Sequence, residues 1–453
     1  MSFLRDLDKI KYLLFLELSI LISAASFEFK PFFVFIGIIF GITLFYLVYT
    51  KPTIAIHLLM FTAFVDSIAP LTEDIYGPSI LVLEILLVVI IIILFIKLIP
   101  YLIDLEKIPK FISLWLPYLI WSLMIGLIVA VDKYRVISFW KNYFAGFFFL
   151  LMVNYSVTNQ IQLKNLIKSL LIWGVVLGLL ELKVLIEFGG FSKGLVGLFL
   201  YKNLLNIGWG QSNYLAAFFV LLIPLTIGYL IYSESKISKF YVSIALLIMF
   251  FSITLTLSRG GILALLVSLM ILSLKLIKPR YLFYSFIFLI AIGIVLLLNP
   301  LTYVLIDRIS SLEASGSFYS RINYYIDVWN TFLDHPLTGV GFGNLSYYAK
   351  FIFPKEVSPS AHNILLGSLG EVGIIGTVFY FSIFFAVLIP IYKSYRNETE
   401  ESIKTLKWSF FISLIGALIH TLVEPTLDSL HFSMIFWIVA GTNLKLDLLK
   451  QNN

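Results

Sequence analysis

Block after block of about twenty apolar residues runs through this chain, each separated from the next by a short polar turn. Twenty residues of helix cross about 30 Å of hydrocarbon, and in that solvent every backbone N–H and C=O must be satisfied within the protein. Only helices and closed barrels meet this demand. The blocks are apolar throughout, without the in–out alternation of a barrel strand, so helices are expected. Candidate spans fall at about 12–27, 32–50, 53–70, 79–99, 111–130, 136–155, 165–187, 211–232, 240–257, 260–276, 281–300, 362–390, 408–423 and 430–446. Pro31, Pro52 and Pro78 stand at span starts, where a missing N–H costs little. The expected fold class is an all-α integral membrane protein with about 12–14 transmembrane helices and one long extracytoplasmic loop carrying short helices. Three regions follow: a helix bundle at 1–300, a loop domain at 301–361, and C-terminal transmembrane helices at 362–453.

Composition agrees with this solvent. The 453 residues are 60% hydrophobic and 13% charged, whereas a soluble domain is nearer half apolar and about a quarter charged. The net charge of +6 is spread over short loops rather than gathered in a patch, which points to membrane orientation and away from nucleic acid. The absence of cysteine excludes disulfides, thiolate metal sites and cysteine nucleophiles. The start, MSFLRDLDKIKYLLFLELSI, has no small-residue cleavage site, so its apolar stretch is expected to be a retained span. With the N-terminus inside, most of the 32 lysines and arginines fall in inside segments, while Glu73, Asp74, Glu424 and Asp428 fall outside. Both termini are therefore expected to be cytoplasmic in a multi-pass cell-membrane protein.

On this orientation three polar features share the outer face. Arg259, in Ser258-Arg259-Gly260-Gly261, sits in a bare reversal between two spans. It is either an interfacial anchor touching lipid phosphate or an anion clamp aimed into a cavity. Arg321 opens a segment in which Ile322, Ile326, Trp329 and Leu333 recur at helical spacing, a stripe expected to pack on the membrane domain. Ser317 or Ser320 is placed to cap that helix, and Pro336 to end it. A cation in a first helical turn opposes the dipole unless it shares a phosphate with the exposed N–H groups. A salt bridge to Asp327 or Glu313 is the plainer alternative. His362 and Asn363 open the long span at 362–390. A positive helix end favours neutral imidazole, which is a competent general base, though a capping or interfacial histidine would look the same.

Other features carry less. His57, His335, His420 and His431 lack comparable company and read as structural. Gly339, Gly341 and Gly343 follow no strand and read as a flexible turn, not a dinucleotide loop. Glu84 and Glu181 fall within apolar blocks, where charge usually has a functional reason, and are equally placed to lie near span ends or to be paired. Lys141 beside Trp140 reads as an interfacial anchor. Neither a Walker lysine nor a helical zinc pair is present.

From about 240 to 380 the chain resembles the O-antigen ligase and O-antigen polymerase family of membrane glycosyltransferases. The matching pieces are Ser258-Arg259-Gly260-Gly261, Arg321 ahead of Trp329, His335-Pro336 with Gly339, Gly341 and Gly343, and His362-Asn363 followed by Glu371, Gly373 and Gly376. Gln211-Ser212-Asn213 resembles the family's polar entry to an earlier span. The first 200 residues match only as hydrophobic spans. The resemblance implies a polyprenyl-pyrophosphate-linked glycan as donor and a glycan, lipid or protein hydroxyl as acceptor. Transfer would invert, with no cofactor or metal, at the extracytoplasmic face. His362 would be the base and Arg259 and Arg321 the pyrophosphate ligands, with Asn363, Asn213 and Glu371 in support. Ligase is the reading taken, polymerase with the same donor is the alternative, and a lipid-linked glycan flippase is a third. A flippase should line its path with charge through the full membrane depth, whereas these cations gather at one face.

Overall fold

The computed structural model describes residues 43–66, 87–93, 110–187, 212–276, 317–348 and 361–450. The expected spans at 12–27 and 281–300, most of those at 32–50 and 79–99, Glu84, Gln211 and much of the loop domain lie outside the described residues. The described residues are helical and contain no strand. Besides helical stretches at 43–50 and 87–93, they form α1 (Thr53–Asp66), α2 (Lys110–Val129), α3 (Lys133–Ser156), α4 (Gln160–Glu187), α5 (Ser212–Tyr232) and α6 (Lys236–Leu255). Then come α7 (Arg259–Leu276), α8 (Ser317–Asp334), α9 (Ile364–Arg396), α10 (Glu401–Thr421) and α11 (Leu430–Leu444). Of these, α3, α4, α5, α6, α9 and α10 are long and apolar enough to cross a membrane. The protein is an all-α integral membrane protein, and its boundaries sit within several residues of those expected from apolar runs.

The centre of the bundle is α5. Every residue from Leu215 to Ile223 is buried, and α6, α7 and α10 pack around it. Hydrocarbon solvates lipid tails and leucine alike, so close approach through small residues takes over the role that water expulsion plays in soluble bundles. Gly228 of α5 lies directly against Ser409 of α10, and Gly416 of α10 against Ser268 of α7. α5 therefore runs as a strut between the two membrane faces. Asn213 marks one end and Tyr232 the other, about 30 Å apart for a helix of this length. On the Tyr232 side, buried Lys407 pairs with Glu398 at 2.6 Å and with Asp447 at 2.5 Å, which ties the C-terminal turn to α10.

α9 is not continuous. Gly373 leaves the helical region at φ 67°, ψ −175°, which breaks the hydrogen-bond ladder of a membrane helix. Groups freed at the break find partners outside the helix. Val340 N–H donates to Gly370 O at 3.0 Å, Gly341 N–H to Glu371 O at 2.8 Å, and the Trp121 indole to Val372 O at 3.1 Å. In return Ile374 N–H donates to Pro336 O at 2.9 Å. Gly339, Gly341 and Gly343, all at positive φ, form this splint. They are thus a fixed strap and not the flexible turn that their composition suggested. The strap is pinned again at the α2–α3 corner, where Asn344 Oδ1 accepts from Asp132 N–H at 2.7 Å and Arg135 reaches Ser346 Oγ at 3.0 Å.

The expectation for α8 is corrected in one respect. The helix forms and ends as expected, but Ile322, Ile326, Trp329 and Leu333 are exposed. Asp327, Val328 and Thr331 are the buried positions among its described side chains, and Val328 packs toward Gly370 of α9. In a membrane protein the apolar stripe need not face the core, because lipid is also an apolar partner.

The broken helix generates a stability prediction. Gly373→Ala would force a side chain to φ 67° and into the Leu337 and Thr338 backbone. It is expected to cost at least about 1–3 kcal/mol. Gly367→Ala, whose added methyl meets only Ala361 at 3.6 Å, should be neutral or stabilising. Thermal unfolding of both variants in detergent checks this, and equal melting temperatures would contradict it.

Candidate functional site

Five segments distant in sequence reach the Asn213 end of α5. The turn that leaves α10 carries Glu424, whose backbone N–H is held by His420 O at 3.0 Å. Pro425 prevents the helix from running on, so the carboxylate is presented at the helix end. Glu424 is only 4% exposed. A carboxylate this deep needs partners, and three converge on it. His362 Nδ1 lies 3.1 Å from Oε1. Asn213 Nδ2 donates to Oε2 at 2.8 Å, and Arg321 Nη2 approaches the same oxygen at 3.5 Å. Burial pushes the carboxyl pKa up, but the His362 hydrogen bond, the Arg321 charge and Asn213 outweigh it, leaving it below its usual value.

His362 immediately precedes the helix cap and has φ 46°. That left-handed turn projects the imidazole away from the axis of α9 and toward Glu424. Asn363 then caps the helix, its Oδ1 accepting from Leu365 N–H at 2.9 Å and Leu366 N–H at 3.0 Å. Tyr324, one turn after Arg321 on α8, stacks on the His362 ring at 5.8 Å. The imidazole is therefore positioned by a carboxylate at Nδ1 and an aromatic face.

Of the residues singled out from sequence, Arg321, His362 and Asn213 come together. Arg259 is the first residue of α7 and is exposed. Its neighbour Gly260 packs on Val423, where an added Cβ would lie 3.0 Å from Cγ1, so Arg259 stands beside the Glu424 turn. Asn363 serves as the cap. Glu371 is set apart from the Glu424 cluster: its Oε1 accepts from Gly343 N–H at 3.0 Å, bracing the strap.

Glu371 also lines a cavity of about 50 Å³ with Asp428, Tyr143, Phe139, Asn363 and Ser368. Asp428 Oδ1 accepts from Tyr143 OH at 2.6 Å, and its backbone O accepts from Asn142 Nδ2 at 2.7 Å. These two bonds clamp the turn that carries Glu424 onto α3. Burial pushes the Asp428 carboxyl up to about 6, against the Tyr143 hydrogen bond and reinforced by the Glu424 charge.

Sequence reading missed Glu424 as a site residue, and it treated His420 as structural. His420 is buried, Nδ1 has no hydrogen-bond partner among the described residues, and Nε2 would lie 3.9 Å from a Cβ on Gly260. The available signal was a carboxylate followed by proline at the end of an apolar block on the same face as His362.

Known proteins align with the part of the chain that contains the cations and the histidine. Residues 244–381 match the family model for O-antigen ligase, which agrees with the resemblance read from the residues. The teichuronic acid biosynthesis protein TuaE of Bacillus subtilis (strain 168) is 25% identical over 129 residues, 28% of this chain and 26% of that protein. The chain thus spans about a quarter of the length of that curated relative. Arg259, Arg321 and His362 lie inside the matched segment, while Asn213, Glu424 and Asp428 lie outside it.

The Asp428 environment generates a pH prediction. Its carboxyl is raised in the folded protein, so its contribution is present at low pH and is lost as pH rises from about 4 to about 6. Asp428→Asn should remove that loss, gaining in melting temperature relative to the parent as pH increases through this window. A melting-temperature difference that does not vary across this window would refute the assignment.

Proposed function

We propose that this protein is a membrane glycosyltransferase of surface-polysaccharide synthesis, moving a glycan from a polyprenyl-pyrophosphate carrier to an acceptor hydroxyl at the extracytoplasmic face. The observation that carries the reading is the meeting of His362, Arg321 and Asn213 on the buried carboxylate of Glu424. Support also comes from the family match over residues 244–381 and from TuaE, named for the biosynthesis of a polysaccharide. Carrier, acceptor and orientation are part of the proposal.

In the reaction, neutral His362 accepts the acceptor's hydroxyl proton at Nε2 as the oxygen attacks the anomeric carbon. The bond from that carbon to the pyrophosphate oxygen breaks on the opposite side, and its electron pair leaves with the pyrophosphate. Attack opposite to departure inverts the anomeric centre. Glu424 holds Nδ1–H and stabilises the imidazolium that forms, as a carboxylate does in other base–orienter pairs. Arg321 and Arg259 meet the charge developing on the leaving group. Arg321 lies at 3.5 Å from Glu424, a loose contact that pyrophosphate can replace. On the other side of α8, exposed Ile322, Ile326 and Trp329 offer an apolar face to lipid, suited to a carrier whose tail stays in the bilayer. Acceptance of another carrier-linked glycan would make the same chemistry a polymerisation, so ligase and polymerase differ here only in acceptor.

Transfer is tested with purified protein in detergent, lipid-linked donor and acceptor, conditions in which flipping between leaflets has no meaning. His362→Ala and Arg321→Ala should abolish transfer while leaving membrane insertion intact. Glu424→Gln should lower kcat by roughly 10²–10³, the size of one lost charge contact in a preorganised site. Arg259→Lys should fail too, because an ammonium cannot replace the planar fork. Full activity in His362→Ala would exclude the base assignment. Absence of transfer by the parent protein, with flipping in sealed vesicles, would replace the enzyme by a transporter.

A further inference from the structure

α4 and α6 run side by side in the same direction and approach closely at Gly174 and Gly178. There Gly174 leaves no room for a Cβ against Met249, and Gly178 lies against Ser252, whose Oγ would be 2.7 Å from an added Cβ. The spacing of Gly174 and Gly178 is the four-residue repeat that lets membrane helices approach closely. Toward their N-termini the two helices part, and a wedge of about 450 Å³ opens between them. Its floor is apolar and buried: Leu171 of α4, Tyr229 of α5, and Val242 and Ala245 of α6. Its rims are Ile172, Ile244 and Tyr241, all exposed to the surroundings of the bundle. From Lys168 to Val176 the wedge extends about 12 Å along α4, most of the thickness of one hydrocarbon leaflet.

The mouth of the wedge has a different character. Lys168 and Ser238 line it. Lys164, Lys236 and Lys239 stand within a turn of them in sequence, in the first turns of the same two helices. The ion pairs of the described residues near this face involve other lysines: Lys275 with Glu401, and Lys407 and Lys450 with Glu398 and Asp447. Glu234 of the α5–α6 turn and Glu400 are the carboxylates that act on Tyr232 at this end, and the four lysines outnumber them. The amino end of α6, capped by Ser235, adds its own partial positive charge. This mouth lies at the Tyr232 end of α5, across the membrane from Asn213 and the Glu424 cluster.

We propose that this wedge binds one anionic phospholipid, its phosphate held by Lys168 and the first turn of α6 and its acyl chain lying on Leu171, Val175, Val242 and Ala245. Charge complementarity selects the headgroup, since a zwitterionic lipid leaves the lysine mouth unneutralised. The opening between α4 and α6 beside the glycine contacts supplies a recess that a flat helix surface lacks. The lipid belongs to the leaflet opposite the proposed transfer site, and the inference does not depend on that site's chemistry.

The test is mass spectrometry of the intact protein released from micelles containing equal amounts of phosphatidylglycerol and phosphatidylcholine. The expected result is one retained phosphatidylglycerol per chain, with at least a tenfold preference over phosphatidylcholine. Lys168→Gln should remove the preference, and Ala245→Leu, which fills the floor without changing charge, should reduce retention of both lipids. Lys183→Gln, on the distant half of α4, should change neither. Equal retention of the two lipids by the parent, or retention unaffected in both wedge variants, would overturn the proposal. Selective displacement of phosphatidylglycerol by undecaprenyl phosphate would overturn it as well, by assigning the wedge to the carrier lipid.

Discussion

A single carboxylate buried at the end of an apolar helix sets the arrangement of the functional end of this protein. An isolated ion at that depth would cost several kcal/mol, so Glu424 is tolerated only because His362, Asn213 and Arg321 reach it. Each of those side chains comes from a different segment. Satisfying one charge therefore fixes the mutual positions of α5, α8, α9 and the α10–α11 turn. The pair that positions the imidazole in the proposed reaction is the same pair that makes the burial possible. Stability and the proposed chemistry thus draw on the same contacts.

The strap around Gly373 meets a related constraint with backbone in place of charge. Breaking a membrane helix exposes carbonyls and amides that hydrocarbon cannot solvate. Here the break sits beneath a loop whose glycines adopt positive φ, so that the N–H groups of Val340 and Gly341 face Gly370 and Glu371. The break turns the start of α9, with Asn363 and His362, out of the line of its second half. Glu371 takes part as a brace on Gly343. Local irregularity and placement of the proposed base are consequently two aspects of one hydrogen-bond set.

The two membrane faces divide the polar residues by kind. At one end, histidine, arginine, asparagine and carboxylates are brought to a common point. At the other, Lys407, Glu398 and Asp447 lock the C-terminal turn, and Lys168 lines the mouth of the α4–α6 wedge. α5 connects the ends and carries no ionised side chain over its length. Among the described residues the charges of the two clusters sit at the ends of this apolar strut, while buried Glu181 lies within α4.

Much of this was legible in the sequence because membrane burial leaves coarse marks. Unbroken apolar runs determined the helical class and most boundaries, since hydrocarbon permits few other backbones. Arg259, Arg321 and His362 stood out because charged or polar groups at span ends require a reason. The apolar stripe of α8 marked a helix but not its buried face, because lipid and protein core are equivalent partners for isoleucine. Glu424 was visible only as an outer-face acid, and its role depended on three residues from 62 to 211 positions away. Periodicity reports neighbours along one helix. Which carboxylate neutralises which cation across a bundle is decided by the packing of helices against each other, and only the tertiary structure contains that information.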